Sequence, residues 1–269
     1  VAGAFCLSEP GSGSDAAGMA TTARRDGDDY ILNGTKAWIT SGSHAGVLIC
    51  MARTGEPDSG HRGISAFLLE PGMSGLDTGK PEDKCGLRGS NTVSVILEDC
   101  RVPLANRLGD EGIGFGVAMT ALDGGRITIG SMANGIARAA GEQAAQYALE
   151  RKQFGKPIAE FQAIQHKLAD MATGLEAARL LVRRAAWLKE QAVKSGHRFT
   201  RQAAMAKVFA TENAKRATEE AVQILGGYGY TREYPVERYM RDARVTTIFE
   251  GTTEIQKIVI AREILKSIV

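Results

Sequence analysis

The stretch FQAIQHKLADMATGLEAARLLV, residues 161–182, decides the fold class of the second half of this chain. Its large apolar residues recur at intervals of three, four and seven, which is the spacing of one face of an α-helix. These residues are Phe161, Ile164, Leu168, Met171, Leu175 and Val182. The stretch therefore predicts a long amphipathic helix.

Three further helices are expected around it. One covers Phe115 to Glu150, and another covers Thr200 to Leu225. The last begins at Thr252 or Thr253, because Thr253 and Gln256 have the spacing of a capping box just ahead of an apolar stripe. Four long helices joined by short connections predict a four-helix bundle.

Residues 1–112 indicate β-structure instead. Tyr30–Leu32 and Thr35–Thr40 are strand candidates on either side of Asn33-Gly34, a dipeptide typical of hairpin turns. Short strands separated by segments rich in Gly, Pro, Asp and Ser favour an antiparallel β-barrel or sandwich over βαβ units. The sequence thus predicts an α+β fold, with a β-domain over 1–112 and the bundle over 113–269. Further strands are expected at Gly46–Ala52, Gly63–Glu70 and Asn91–Leu97.

The composition argues against several function classes. The 269 residues carry a net charge of +2 and no basic run, so nothing favours nucleic acid or an anionic membrane surface as a partner. No apolar run approaches the ~18 residues that span a bilayer. The four cysteines and four histidines have no metal-ligand spacing, so no metal is expected, and the cysteines suit free thiols in a reducing compartment.

The segment IFEGTTEIQ, residues 248–256, places an acid beside a glycine just ahead of the last helix. Glu250 is therefore expected on a connection near the amide-donating end of that helix. A carboxylate on a loop that is held by a helix is a suitable general base. A solvated loop acid is the alternative reading of Glu250, and Glu254, one helical turn further on, is its rival within the segment.

Two segments of the β-half contain residues suited to a ligand. The Gly/Ser loop Phe5–Asp15 exposes amides and hydroxyls that suit a phosphate or a flat polar heterocycle, although an ordinary surface turn has the same composition. Trp38-Ile39-Thr40 ends a strand, where Trp38 either forms a wall against a flat ring or is simply a core residue.

Three segments of the helical half have similar potential. Arg151, in the junction Arg151–Gln162, either clamps a phosphate or interacts with a helix C-terminus. The glycines of Gln223–Tyr230 either admit a ligand close to the backbone or end a helix. Asp123 and Arg126 form a cluster near a helix start, for which an exposed ion pair is the plain alternative.

In this order and spacing, these segments resemble the acyl-CoA dehydrogenase family over essentially the whole chain. The resemblance implies a β-domain followed by a four-helix bundle, with FAD between them and part of its site from a neighbouring subunit. It also implies an all-helical domain ahead of the β-domain. This chain has none, so we expect the sequence to be a fragment of a longer enzyme.

The resemblance also implies a role for each matching position. Glu250 would remove the α-proton of an acyl-CoA thioester while a β-hydride passes to the flavin, giving the trans-2-enoyl-CoA. Some members draw the base from the helix near position 125, where this chain has Gly125, and this strengthens Glu250. Loss of water would raise the pKa of Glu250, whereas the helix N-terminus would lower it. Cofactor contacts are implied for Phe5, Leu7, Ser8, Trp38, Ile39, Thr40, Arg151, Phe154, Gln162, Gln223, Gly226, Gly227, Thr252 and Glu254, and acyl-CoA contacts for Ser14, Asp123, Arg126 and Gly251.

Partners and substrate follow from the same resemblance. It implies a homotetramer and an electron-transfer flavoprotein as the electron acceptor. The segment Leu122–Ile127 is similar to short-chain members, so short straight-chain substrates are favoured, with medium and branched chains open. A bacterial cytoplasm and a mitochondrial matrix both fit. A flavin oxidase on the same scaffold and a catalytically silent, oligomerising fragment that binds no FAD are the alternatives.

Overall fold

A computed structural model describes residues 2–196 and 198–268 of the chain. One histidine, His197, lies outside the described residues. The chain forms two compact units that divide between Ala121 and Leu122. This division falls within a long helix, whereas the sequence analysis places the domain boundary between residues 112 and 113.

The first unit is built on one curled β-sheet. Strand β4 pairs in parallel with β1 and antiparallel with β5, and the remaining strands pair mainly antiparallel. The order across the sheet is β1-β4-β2-β3-β7-β6, with β5 attached to β4. The strands are β1 (Gly3–Cys6), β2 (Thr22–Asp26), β3 (Asp29–Thr40), β4 (Val47–Arg53), β5 (Ile64–Leu69), β6 (Leu76–Thr78) and β7 (Thr92–Pro103).

The predicted hairpin turn at Asn33-Gly34 is wrong. Strand β3 runs through both residues, and the tight turn lies earlier, at Gly27-Asp28 between β2 and β3. The register against β7 shifts at Asn33, whose side chain exchanges hydrogen bonds with Asp99 at 2.8 and 3.0 Å. A Cβ atom on Gly34 would overlap Thr21. Close packing and a bulge, rather than a chain reversal, therefore explain this dipeptide.

The second unit is helical. Four helices agree with the predicted segments: α1 (Gly114–Glu150), α2 (Gln162–Ser195), α3 (Thr200–Leu225) and, after the short α4 (Val236–Arg244), α5 (Thr253–Lys266). Two-residue strands β8 (Lys152–Gln153) and β9 (Lys156–Pro157) form the junction between α1 and α2. Helix α3 is central, because it packs against α2, α4 and α5. No helix in the described part of the chain is both long and apolar enough to cross a membrane.

The predicted capping box at the start of α5 is also wrong. Thr252 caps the helix, because its Oγ1 accepts a hydrogen bond from the amide of Ile255 at 3.3 Å. The hydroxyl of Thr253 instead donates to Oε1 of Glu212 at 3.0 Å. Gln256 is fully buried, and its Nε2 donates to the carbonyl of Glu250 at 3.2 Å. Both side chains are therefore used for tertiary contacts around the turn before α5.

Candidate active site

Glu250 lies on the turn between α4 and α5, as predicted. Glu250 and Gly251 both have left-handed backbone conformations, with φ of 54° and 85°. For a residue with a side chain this conformation is uncommon and persists only where the surroundings hold it. The surroundings do so here, because Gln256 donates to the Glu250 carbonyl at 3.2 Å and Lys207 donates to the Gly251 carbonyl at 2.8 Å.

The carboxyl group of Glu250 lies against α1 at Gly125. A Cβ atom at position 125 would overlap that carboxyl group, so the glycine makes room for it. Glu250 is partly buried, and this burial raises the pKa of its carboxyl group. The charges of Arg126 and Lys207 act in the opposite direction but do not outweigh burial. A carboxyl group with a raised pKa holds a proton more readily than an exposed one, which suits a general base.

Arg126 and Asp123 form a largely buried ion pair rather than an exposed one, and both lie within α1 rather than near a helix start as predicted. Only 5% of Arg126 is exposed, and its guanidinium is paired with Asp123. The second carboxylate oxygen of Asp123 accepts a hydrogen bond from the Thr200 hydroxyl at 2.6 Å. The buried Nε of Arg126 has no hydrogen-bond partner within the described chain. The charge of Arg126 lowers the pKa of Glu250, and the charge of Glu250 in turn raises the pKa of Arg126, although burial dominates the pKa of each group.

Lys207 belongs to the same cluster, although it was not predicted from the sequence. Its side chain is fully buried within α3, and burial lowers its pKa to about 8, against the opposing effect of Glu250. A signal for it exists in the sequence, since position 207 falls on the helical face of Ala203, Ala210 and Ala214. A lysine on an alanine-lined buried face needs a polar partner.

Glu254, the rival base, has a different environment. It is exposed, and hydrogen bonds from its own backbone N–H and from Thr252 lower the pKa of its carboxyl group. A solvated acid with a low pKa at a helix start is a weaker base than the partly buried Glu250.

The Gly/Ser loop of the first unit is anchored to β3 rather than being a free surface turn. The amide of Ala37 donates to the Ser8 carbonyl at 2.8 Å. The ammonium of Lys36, which is fully buried, donates to the Leu7 carbonyl at 3.2 Å and to Glu9 at 2.7 Å. Burial by itself raises the pKa of Glu9, but the hydrogen bond and charge of Lys36, together with hydrogen bonds from Thr21 and the Ala20 amide, lower it below its usual value. The loop residues named from the sequence are thereby held beside the end of β3.

Trp38 is a surface residue, so the core alternative is wrong. Its side chain is 64% exposed, and its φ is 62°. Thr40 is also exposed, whereas Ile39 and Leu7 have their side chains in the sheet core. Those two residues can therefore offer a ligand only backbone atoms. Phe5 is partly buried and Ser14 is exposed on the loop. An exposed indole in a strained conformation is the kind of feature that binding sites retain.

The predicted phosphate-binding residues of the second unit are also exposed. The guanidinium of Arg151 lies 5.7 Å from the ring centre of Tyr228, which follows Gly226 and Gly227. A Cβ atom on either glycine would meet no atom within 4 Å, so the backbone there is open to a ligand. Phe154 is 94% exposed with a φ of 50°, and Gln162 and Gln223 are exposed as well.

The chemistry of these groups fits FAD. An exposed arginine suits a pyrophosphate, exposed aromatic rings suit flat heterocycles, and open glycine backbone suits close approach by either. Within the described ranges, no group of three or more His, Cys, Asp or Glu side chains is arranged to hold a metal ion.

Family models and individual relatives match nearly the whole of this chain. The family model for the middle domain of acyl-CoA dehydrogenase matches residues 4–100, and that for the C-terminal domain matches residues 112–265. Acryloyl-CoA reductase (NADH) of Anaerotignum propionicum is 53% identical over 98% of this chain and 66% of its own length. The mitochondrial short-chain specific acyl-CoA dehydrogenase of Mus musculus is 52% identical over 98% of this chain and 63% of its own length.

Comparison with solved structures gives the same family as comparison of sequences. Butyryl-CoA dehydrogenase from Megasphaera elsdenii has a TM-score of 0.94 and is 49% identical, over 98% of this chain and 68% of that chain. The chain spans 63 to 66% of the length of the two curated relatives named above. With both family models and these relatives covering nearly all of its residues, the chain belongs to the acyl-CoA dehydrogenase family.

Proposed function

We propose that the protein is an FAD-dependent dehydrogenase that converts short-chain acyl-CoA thioesters to trans-2-enoyl-CoA. The observation that carries this proposal is the carboxyl group of Glu250, which is partly buried, has a raised pKa and lies in a space left by Gly125. The names of the mouse and Megasphaera relatives support a short acyl chain.

Glu250 acts as the general base for the α-proton. The charges of Arg126 and Lys207 favour the ionised form that accepts the proton, while burial raises the pKa of Glu250 and so favours the form that holds it. The backbone N–H of Glu250 is proposed to polarise the thioester carbonyl, which makes the α-proton more acidic. FAD, when bound, accepts the hydride from the β-carbon.

The proposed binding roles follow the matching positions. In the first unit, Ser8, Trp38, Ile39 and Thr40 would line the isoalloxazine, together with Phe5 and Leu7. Thr252 and Glu254 would contact the flavin from α5. Arg151, Phe154, Gln162, Gln223, Gly226 and Gly227 would hold the pyrophosphate and adenosine, largely for a partner subunit, and Ser14, Asp123, Arg126 and Gly251 would contact acyl-CoA.

A homotetramer is proposed as the assembly. The last helix supports self-association, because Ile258 and Ile264 of its predicted stripe are 46% and 43% exposed, and Leu265 is 64% exposed. Trp187 on α2 is 58% exposed. Large apolar side chains grouped on helices are typical of surfaces that associate. Light scattering of the purified protein tests this, with the mass of four chains as the expected result.

An electron-transfer flavoprotein is proposed as the electron acceptor, on the family resemblance. For the compartment, the family leaves two candidates, a mitochondrial matrix and a bacterial cytoplasm; the mouse relative's name describes a mitochondrial protein.

Anaerobic titration of the FAD-loaded protein, expressed from its complete reading frame, tests the proposed reaction. Butyryl-CoA should bleach the flavin absorbance faster than octanoyl-CoA or isovaleryl-CoA. Absence of bleaching with all three thioesters would overturn the proposed function. A protein that stays colourless after FAD addition would instead support the silent assembly fragment.

Two flavin-dependent alternatives use the same scaffold. An oxidase differs in letting oxygen reach the reduced flavin, so rapid reoxidation of the bleached protein by air would favour it. A reductase would run the proton transfer backwards, with protonated Glu250 as the acid, and the Anaerotignum relative carries such a name. NADH-dependent loss of an added 2-enoyl-CoA, measured together with the forward titration, separates the two directions.

A further inference from the structure

The turn that carries Glu250 needs to be held in place. Glu250 is a non-glycine residue in the left-handed region, and Gly251 follows it in the same region. Such a pair relaxes to other conformations unless neighbouring groups fix it. The direction of the Glu250 side chain depends on this backbone conformation, because the Cα–Cβ bond is set by the backbone atoms around it.

Lys207 supplies one of the two bonds that fix the turn. Its Nζ donates to the Gly251 carbonyl at 2.8 Å, and Gln256 supplies the other bond, to the Glu250 carbonyl at 3.2 Å. Both side chains are 0% exposed. A buried lysine on an alanine-lined helix face is unfavourable for folding by itself, and this one bonds to the turn of a candidate base, which points to a role in the site.

We propose that Lys207 is the positioning residue of the Glu250 base, which it aims by holding the Glu250–Gly251 turn through the Gly251 carbonyl. This inference rests on the proposed function. Lys207 would not touch the reacting atoms; it acts through the turn. Its positive charge has a second consequence, since it favours the ionised form of Glu250. The other charged groups acting on Lys207 are Arg126 of α1, Glu212 of α3 and Glu254 of α5.

The test compares Lys207→Met with the wild-type protein, both loaded with FAD. Met is one atom shorter than Lys but keeps an unbranched apolar chain, and it removes the hydrogen bond and the charge. At saturating butyryl-CoA, the bleaching rate should fall ~100-fold, the loss associated with a displacement of about 1 Å. The butyryl-CoA concentration for half-maximal rate should change less than about threefold, because substrate binding does not use Lys207. The acid limb of the pH profile should move to higher pH, since a positive charge near Glu250 is lost.

A readout without activity accompanies the kinetics. Backbone hydrogen–deuterium exchange of residues 248–256 should rise in Lys207→Met, because the turn loses one of its two bonds. Lys215→Met is the matched control, since Lys215 lies on the same helix and has no role in the site. That control should leave the bleaching rate, the pH profile and the exchange of the turn unchanged.

The outcomes are distinguishable. If wild-type protein is not bleached, the proposed function fails and the kinetic arm no longer applies; unchanged exchange of the turn in Lys207→Met would then overturn the inference. If wild-type protein is bleached and folded Lys207→Met matches its rate and pH profile, Lys207 is only structural and the inference is overturned. Should Lys207→Met yield no flavoprotein, Lys207→Gln decides. Its amide is one bond shorter than the lysine chain, so a rate within threefold of wild type would also overturn the inference.

Discussion

Replacement of Gly125 by alanine tests the placement of the base directly. The added Cβ atom would overlap the Glu250 carboxyl group, which must move by about 1 Å before an ordinary contact is reached. The group in the way is the far end of a flexible side chain, so the carboxyl group moves and the helix does not. A displacement of this size lowers the rate ~100-fold, equivalent to roughly 2.7 kcal/mol of activation free energy.

The same substitution should not harm folding. Alanine is better than glycine inside a helix by roughly 0.5–1 kcal/mol, so Gly125→Ala should unfold at an equal or higher urea concentration. Activity and stability are therefore expected to change in opposite directions. Anaerobic stopped-flow bleaching by butyryl-CoA measures the first quantity, and urea unfolding followed by circular dichroism measures the second.

Gly135→Ala is the matched control for this prediction. It lies on the same helix, and a Cβ atom there would meet nothing within 4 Å. It should show the same gain in helix stability with an unchanged bleaching rate. A Gly125→Ala variant that bleaches at the wild-type rate would refute the placement of the reactive carboxyl group against α1.

Further variants test the candidate base, its charged neighbour and the buried ion pair of the sheet. Glu250→Gln should still bind FAD but lose bleaching, and a normal bleaching rate would assign the base to another residue. The variant should unfold no more easily than wild type, because the raised pKa of Glu250 means that its ionised carboxyl group destabilises the folded state at neutral pH. Arg126→Gln should shift the acid limb of the bleaching rate to higher pH, since the arginine charge lowers the pKa of Glu250; an unmoved limb would contradict this coupling. Lys36→Met should lower the free energy of unfolding by about 3–5 kcal/mol, because it leaves Glu9 buried without its cation. The double variant Lys36→Met/Glu9→Met should lose less stability. An equal loss would mean that the ion pair does not explain the cost of the single substitution.

Helix positions and the place of Glu250 ahead of the last helix were predictable because their signals are local. Apolar periodicity predicted α2, and an apolar stripe behind a capping signal predicted the start of α5. The acid just ahead of that start made Glu250 the candidate base. The failures at Asn33-Gly34 and at Thr253 have one cause. Both patterns were assigned to a local turn or cap, whereas the structure uses these residues for contacts with segments distant in sequence.

Strand β2 and Lys207 were not predicted, because neither has a short, local sequence signal. The strand has one buried residue, Ala23, so it lacks the apolar alternation that identifies a half-buried strand. In the linear sequence Lys207 resembles an ordinary surface lysine, because its buried position appears only from its place on a helix face. Its hydrogen-bond partner, the Gly251 carbonyl, is 44 residues away in the sequence. The environment of Glu250 thus depends on tertiary contacts that no short motif records.

The buried pair of Lys36 and Glu9 has a consequence for how this sequence can drift. Replacing either residue alone would leave the other as an unpaired charge in the sheet interior. The two positions should therefore change together among descendants. A lineage that replaced both with apolar residues would retain a packed sheet but release the backbone of Leu7, which Lys36 tethers. Such a descendant would be a stable protein with a loosened loop, and selection for stability by itself would not detect the difference.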